Sequence, residues 1–495
     1  MNWNMFIPIA LGCVMANVAV RWIYFKILKV AFDKKLVDNP DARKLQKRPV
    51  PVVGGLAVFM GVLAGVLAAA AFHYMFDPEK ESISLLPIIC TMSVMLYTGA
   101  MDDILGLTPK SRFVIEILSI LALVFGTGMC IDTFRGLWGV DYISWWIAVP
   151  LTVFAGVGII NAINMIDGVN GLSSGLCITC CCLFGVAFVK AGDVANAVLA
   201  FTMASALVPF FVHNVFGAKS RMFIGDAGTM VMGVLITWFV MCMLSQNSSV
   251  AYYSNADGVN LIALSLAILS VPIFDTLRVM SMRMAKRKSP FQPDKTHLHH
   301  VFVNVGVSHF ITAMSEILIG LVVTAIWIVS VMLGASIEMQ LYIVILAAAV
   351  FVWGTYAILR YNAIKHTEFL HWLTHFSVHT HLGRKSWWKH YSAWLDAPGD
   401  YSKIDAELAS YVPEGFENHL KNIEVTNFKE QDRKLILEFL KGKAEVHVSD
   451  LIAYSGAEKM RVYPILFEEV QAGYIMVTKA NILGTPEIIA LCNNS

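Results

Sequence analysis

Residues 145–190 read WWIAVPLTVFAGVGIINAINMIDGVNGLSSGLCITCCCLFGVAFVK. Two apolar runs, 145–166 and 172–190, are each long enough to cross a bilayer as a helix, and a short polar turn separates them. Asn161 and Asn164 lie three apart on one face of the first run. Asparagine is costly in lipid unless partnered, so both should line a polar interior. The pairs Asp167-Gly168 and Asn170-Gly171 predict tight turns with exposed backbone amides. Cys177, Cys180, Cys181 and Cys182 fall inside the second run, where no polar surround for a metal is visible, and read as small apolar packing residues.

The same pattern repeats along the chain. Apolar stretches at about 4–31, 52–75, 83–101, 113–131, 194–216, 227–244, 259–280, 310–333 and 340–359 join the first two, giving eleven candidate spans. The composition agrees: of 495 residues 57% are hydrophobic and 15% charged, with mean hydropathy +0.63, whereas a soluble globule carries about 25% charged residues. Thirty-seven Lys and Arg nearly cancel 36 Asp and Glu, which removes net charge as a reason to expect a nucleic-acid partner. The fold expected is an all-α polytopic membrane protein over residues 1–360. An interfacial helix and linker (361–427) and a small cytoplasmic domain (428–495) should follow.

Loop charge gives the orientation. One alternate set of loops holds Lys34, Lys35, Arg43, Lys44, Lys47, Arg48, Lys110, Arg112, Lys219, Arg221, Arg283, Lys286, Arg287, Lys288 and Lys295, and the other holds Lys80, Arg135 and Lys190. The positive-inside rule places the rich set in the cytoplasm, with the N-terminus outside and the C-terminal tail inside. Asp102, Asp103, Asp167, Asp226, Asp294, His297, His299 and His300 sort to the same face. Transporters place ionisable groups near the midplane. A transporter or lipid flippase is therefore the weaker alternative to chemistry at the cytoplasmic surface.

Four loops carry that chemistry. Asp102-Asp103 opens DDILGLTPKSR, and paired carboxylates beside Lys110 and Arg112 suit a divalent metal with a phosphate. The turn after Asn161 and Asn164 follows. In Phe223-Ile-Gly225-Asp226-Ala-Gly228-Thr229, glycines flank one carboxylate at the mouth of a helix, so a phosphate can approach the backbone while Asp226 holds a cation. Pro293-Asp-Lys295-Thr-His297-Leu-His299-His300 places three histidines behind a basic run. Adjacent His299 and His300 cannot easily face one metal from a regular helix, so hydrogen bonding to phosphate or sugar is the preferred reading.

The ordered set DD, NAxNxxDGxxGL, GDAG and PDKxHxHH, with Pro51-Val-Val-Gly54-Gly55 leading into the second span, resembles the polyprenyl-phosphate N-acetylhexosamine-1-phosphate transferases over about residues 1–360. The resemblance implies transfer of a sugar-1-phosphate from a UDP-sugar to undecaprenyl phosphate in the bacterial inner membrane. UMP is released, and Mg²⁺ or Mn²⁺ is the cofactor. By position it makes Asp102, Asp103 and Asp226 the catalytic carboxylates. Asp226, Asp103 and Asp167 become metal-ligand candidates, and Lys110, Asn161, Asn164, Asp167, Asn170, Lys295, His297, His299 and His300 substrate contacts. Asn170 stands where many members carry a second Asp, and Lys295 where Arg is common, keeping charge without the bidentate fork.

Residues 361–495 exceed the resemblance and carry more Asp and Glu than Lys and Arg. His371, His375 and His379 precede Trp387, Trp388 and Trp394, a pattern expected of an interfacial helix. From 428 onward the periodicity predicts three helices and a hairpin over 474–491, a winged-helix-like domain suited to protein contact more than to DNA. A homodimer is compatible with this reading.

Overall fold

A helix that is apolar all round belongs in the interior, and Gly225–Leu244 (α8) obeys: its most apolar window is wholly buried. The computed structural model describes residues 3–38, 50–76, 85–250, 258–289 and 296–365, and parts of 368–401 and 425–491. Around α8 pack α2 (Gly54–Phe76), α3 (Leu86–Leu105) and α5 (Trp145–Met165). Outside them, α1 (Trp3–Asp33) lies on α2 and on α7 (Val194–Phe216), which pairs with α6 (Leu172–Ala191). Cys177, Cys180 and Cys181 are free and buried on α6, as expected of packing residues.

Among the described residues, nine helices are long and apolar enough to cross a membrane, or ten if one bent pair counts as a single span. The chain is a multi-pass membrane protein. The predicted span 113–131 falls on α4 (Pro109–Thr127), which is not one of the nine because it carries Lys110, Arg112 and Glu116. The predicted span 259–280 differs in kind. It is two helices, α9 (Leu261–Ile268) and α10 (Ser270–Ala285), bent by 77°. Pro272 explains the break, because its ring has no N–H to donate and clashes with the carbonyl four residues back, at Ile268. A short α11 (Leu298–Asn304), α12 (His309–Met332) and a last helix complete the bundle. That last helix runs as α13 (Ile337–Ala348), a π-helical turn (Ala349–Trp353) and α14 (Gly354–Lys365).

Two ribbons sit at the bundle ends: β1 (Val37–Asp38) pairs with β2 (Val50–Pro51), and β3 (Thr133–Leu137) with β4 (Val140–Tyr142). Beyond the bundle come α15 (Ser386–Asp396) and α16 (Val425–Leu440). A three-stranded antiparallel sheet follows, with β5 (Val446–His447), β6 (Ile475–Ala480) and β7 (Pro486–Leu491) in the order β5-β7-β6. The predicted hairpin is β6 with β7, and a separate core of Ile436, Leu440, Leu451, Leu466 and Ile489 backs it. His371, His375 and His379 lie outside the described residues.

The seam between α3 and α8 depends on Gly99. A Cβ there would overlap the backbone of Asp226 and Ala227. Gly99→Ala should therefore cost about 1–3 kcal/mol and lower the melting temperature in detergent. Gly158→Ala, whose Cβ would meet nothing within 4 Å, should leave it unchanged or slightly raised.

Candidate active site

The polar motifs predicted from sequence converge at one end of the bundle. Asp102 and Asp103 occupy the last turn of α3, and Gly106 in a left-handed conformation closes that helix by donating to Asp102 O. Asp103 spans to the start of α8: its Oδ1 accepts from Asp226 N–H (3.0 Å) and its Oδ2 from Ala227 N–H (3.1 Å). A carboxylate on two amides of a helix N-terminus satisfies otherwise orphaned donors and the positive end of the helix dipole. The turn that permits this needs Gly225, which has φ +71° and whose Cβ would collide with Val52 O and Asp103.

Asp226 is thereby held at the mouth of the site with about a third of its side chain (34%) exposed. Asn164 Nδ2 donates to its Oδ1 (2.5 Å) and to Thr229 Oγ1 (2.7 Å). Across the site, one nitrogen of Arg112, Nη1, lies 3.1 Å from Asp102 Oδ2 and 3.6 Å from Asp226 Oδ2. Arg112 Nε donates to Glu116 Oε1 (3.1 Å), and Asn161 Nδ2 donates to Glu116 Oε2 (2.6 Å). Asn161 and Asn164 thus share the polar interior that their spacing predicted. Arg112 is the hub, joining three carboxylates. Glu116 and Thr229 escaped the sequence reading. For Glu116 a signal was present: a lone carboxylate in an apolar run, four residues after an arginine.

Asp167 lies just beyond α5 and accepts a hydrogen bond from Ser173 Oγ. Burial pushes its carboxyl up to about 6. Asn170 contributes its backbone N–H, which reaches His309 Nδ1 at 3.4 Å. Gly171 N–H donates to Asn214 Oδ1 (2.7 Å). Lys110 is exposed on the first turn of α4, and Lys295 lies outside the described residues.

The histidine segment is anchored from the broken span. Asp275 on α10 accepts from Arg278 Nη2 (2.7 Å) and from Leu298 N–H (3.1 Å), and its Oδ2 is 2.8 Å from His297 Nδ1. Arg278 also lies over the Tyr356 ring at 3.7 Å. His297 is thus engaged by Asp275. Among the described residues His299 has both ring nitrogens buried without a hydrogen-bond partner. Burial and the neighbouring His300 and His297 hold its pKa well below the usual histidine range, so the ring is neutral and offers one donor and one acceptor. It lies on the Asp167 turn: a Cβ at Gly168 would meet His299 Nε2 at 2.6 Å. The Gly of that Asp-Gly pair is what lets the histidine segment reach the turn.

No three His, Cys, Asp or Glu among the described residues are grouped as a metal site. The expected trio Asp226, Asp103 and Asp167 is divided: Asp103 caps α8, Asp167 holds Ser173, and Asp226 instead faces Asp102 across Arg112. Asp226 and Asp102, two carboxylates with few other protein donors nearby, would suit a hydrated divalent cation such as Mg²⁺.

The sequence profile of glycosyl transferase family 4 matches residues 85–244. A probable undecaprenyl-phosphate N-acetylglucosaminyl 1-phosphate transferase of Bacillus subtilis strain 168 is 30% identical over 343 residues, covering 68% of this chain and 88% of that protein. Undecaprenyl-phosphate alpha-N-acetylglucosaminyl 1-phosphate transferases of Yersinia pestis and Salmonella typhi are similar as well. The first is 28% identical over 285 residues (57% of this chain, 73% of the relative). The second is 29% identical over 316 residues (61% and 79%).

Asp275 is the buried carboxylate that Arg278 and the histidine segment share, so Asp275→Ala should cost about 3–5 kcal/mol by stranding the guanidinium. The readouts are a lowered melting temperature and faster proteolysis at residues 296–300. Unchanged values for both would refute the anchoring role.

Proposed function

The chain belongs to glycosyl transferase family 4, the polyprenyl-phosphate N-acetylhexosamine-1-phosphate transferases, and from that premise we propose that it transfers a sugar-1-phosphate from a UDP-sugar to undecaprenyl phosphate. The donor we assign is UDP-N-acetylglucosamine, the sugar in the relatives' names. The observation that carries the reading is Arg112 Nη1 set between Asp102 and Asp226.

In the reaction an oxygen of undecaprenyl phosphate bonds to the sugar-bearing phosphorus. The bond from that phosphorus to the bridging oxygen breaks, and UMP leaves with the bonding electrons. Two anionic phosphates must meet, so catalysis is positioning plus charge screening. Arg112 supplies fixed positive charge. His299 has a donor free for a phosphate oxygen, and Asn164 fixes Asp226 through Oδ1, leaving Oδ2 toward Arg112. Asp226 with Asp102 would hold Mg²⁺, which when bound supplies further screening of the phosphates. Asp103 serves by holding the first turn of α8, and with it Asp226, in place.

The finer topology belongs to the same proposal. Eleven spans result when α4 and the bent α9–α10 pair each count as one, with the N-terminus outside and the site and tail facing the cytoplasm. The membrane is the bacterial inner membrane, and residues 428–495 form a winged-helix-like domain.

Detergent-purified protein given undecaprenyl phosphate, Mg²⁺ and a panel of UDP-sugars should release UMP and form a lipid-linked sugar diphosphate, with N-acetylglucosamine the best donor and EDTA abolishing turnover. Asp226→Asn and Asp102→Asn should each lower turnover by about 10²–10³-fold while the melting temperature stays near that of the parent. Asp103→Asn should lower both, since an amide cannot accept from both amides of α8 without turning its own NH₂ toward one of them. Near-normal turnover in the first two variants would overturn the site assignment.

A further inference from the structure

Helix α15 lies well beyond residues 85–244, the part that the family profile matches, yet it is fastened to the loop that leads into Asp226. Its last residue, Asp396, takes four hydrogen bonds from that loop. Oδ2 accepts from the N–H groups of Ala218 (3.3 Å) and Lys219 (2.9 Å), and Oδ1 from the N–H (3.0 Å) and hydroxyl (2.6 Å) of Ser220. Three consecutive amides converge on one carboxylate, a geometry that fixes the loop backbone rather than a single side chain. Ser220 is held from the bundle side as well: its carbonyl accepts from the Tyr24 hydroxyl (2.7 Å), and its Oγ is 3.0 Å from His213 Nδ1. Tyr391 of α15 adds an edge contact with Phe216, the last residue of α7, at 5.7 Å between ring centres.

From Ser220 to Asp226 the chain has no slack. Met222 O accepts from Asn214 Nδ2 (2.7 Å), and the same side chain, through Oδ1, takes the N–H of Gly171 beside the Asp167 turn. Phe223 N–H donates to Pro51 O (2.7 Å), while Phe223 O and Ile224 O accept from Gly54 and Gly55 (3.0 and 2.8 Å). Gly225 and Asp226 come next. Residues 220–226 thus form one tied stretch of backbone, linked at Met222, Phe223 and Ile224 to the elements that flank the Asp226 carboxylate and the Asp167 turn.

We propose that α15 is a strap on the active site and that Asp396 is a positioning residue for Asp226, acting through residues 217–224. The C-terminal extension thereby gains a route by which events in the tail set the activity of the membrane domain. The proposal rests on the reading of Asp226 as a carboxylate of the reacting centre, so its test includes a readout that needs no turnover. Asp396→Asn keeps the shape of the side chain but replaces one acceptor oxygen by a donor, against loop amides that only donate.

In the full-length chain, hydrogen exchange followed by mass spectrometry should show faster exchange at 218–220 and also at 223–227. The kcat for UMP release should fall by roughly tenfold to hundredfold, with the KM for the UDP-sugar changed by less than about twofold. Tyr391→Ala, which loosens the same helix without touching the loop amides, should give a smaller change of the same kind and serves if Asp396→Asn does not accumulate. Faster exchange confined to 218–220 with unchanged kcat would overturn the strap and leave α15 merely docked. Propagated exchange in a protein that turns over none of the UDP-sugars would support the strap and count against the transferase reading instead.

Discussion

The carboxylate of Asp103 on the first amides of α8 is the contact on which the rest of the site depends. A helix that starts inside a membrane protein has N–H groups with no intrahelical partner, and leaving them bare in a low-dielectric interior is costly. Asp103 satisfies two of them from a different helix, tying the end of α3 to the beginning of α8. Asp226 sits in the very turn so fixed. Gly99 is small because α3 and α8 can share this end only where no Cβ stands between their backbones, and Gly225 because a Cβ there would meet Val52 O and the Asp103 carboxylate.

From that fixed point the polar groups spread outward in a chain of partners. Arg112 joins Asp102, Asp226 and Glu116, Asn161 secures Glu116, and Asn164 secures Asp226 and Thr229. Such a network is worth having only when nearly every member is satisfied, because a half-satisfied one is costlier than an apolar core. Among the described residues two members depart from this: Arg112 Nη2 is buried without a partner, and so are both ring nitrogens of His299. Unsatisfied polar groups in a site whose other members are paired are where a substrate has something to gain.

The membrane class and the four motif loops were legible from composition, apolar length and the Gly, Asp and His punctuation, since each is a local signal. The partnerships were not. Nothing local distinguishes Asp103, which caps a helix 123 residues away, from its neighbour Asp102, which faces Arg112. Pro272 was visible, but a window spanning 259–280 averages a broken span into a single apolar run. The hairpin of β6 and β7 was legible from its alternation, whereas the docking of Asp396 on residues 218–220 was not: an aspartate ending a short amphipathic helix carries no mark of the amides it will meet.

Electrostatics also bears on the cofactor. Asp102, Asp226 and Glu116 share the one guanidinium of Arg112, three carboxyl groups to a single cation. Like charges a few ångströms apart repel by about 4 kcal/mol at the effective dielectric of a protein surface, and the reaction we propose brings in two phosphates. Lys110, exposed on the first turn of α4, is too solvated to offset that alone. A divalent cation entering with the diphosphate would reverse the sign, turning Asp102 and Asp226 from a barrier to anion binding into the groups that make it favourable. On the proposed reading the acidic pair would hold the cation that screens the diphosphate, with Arg112 Nη1 set between the two carboxylates.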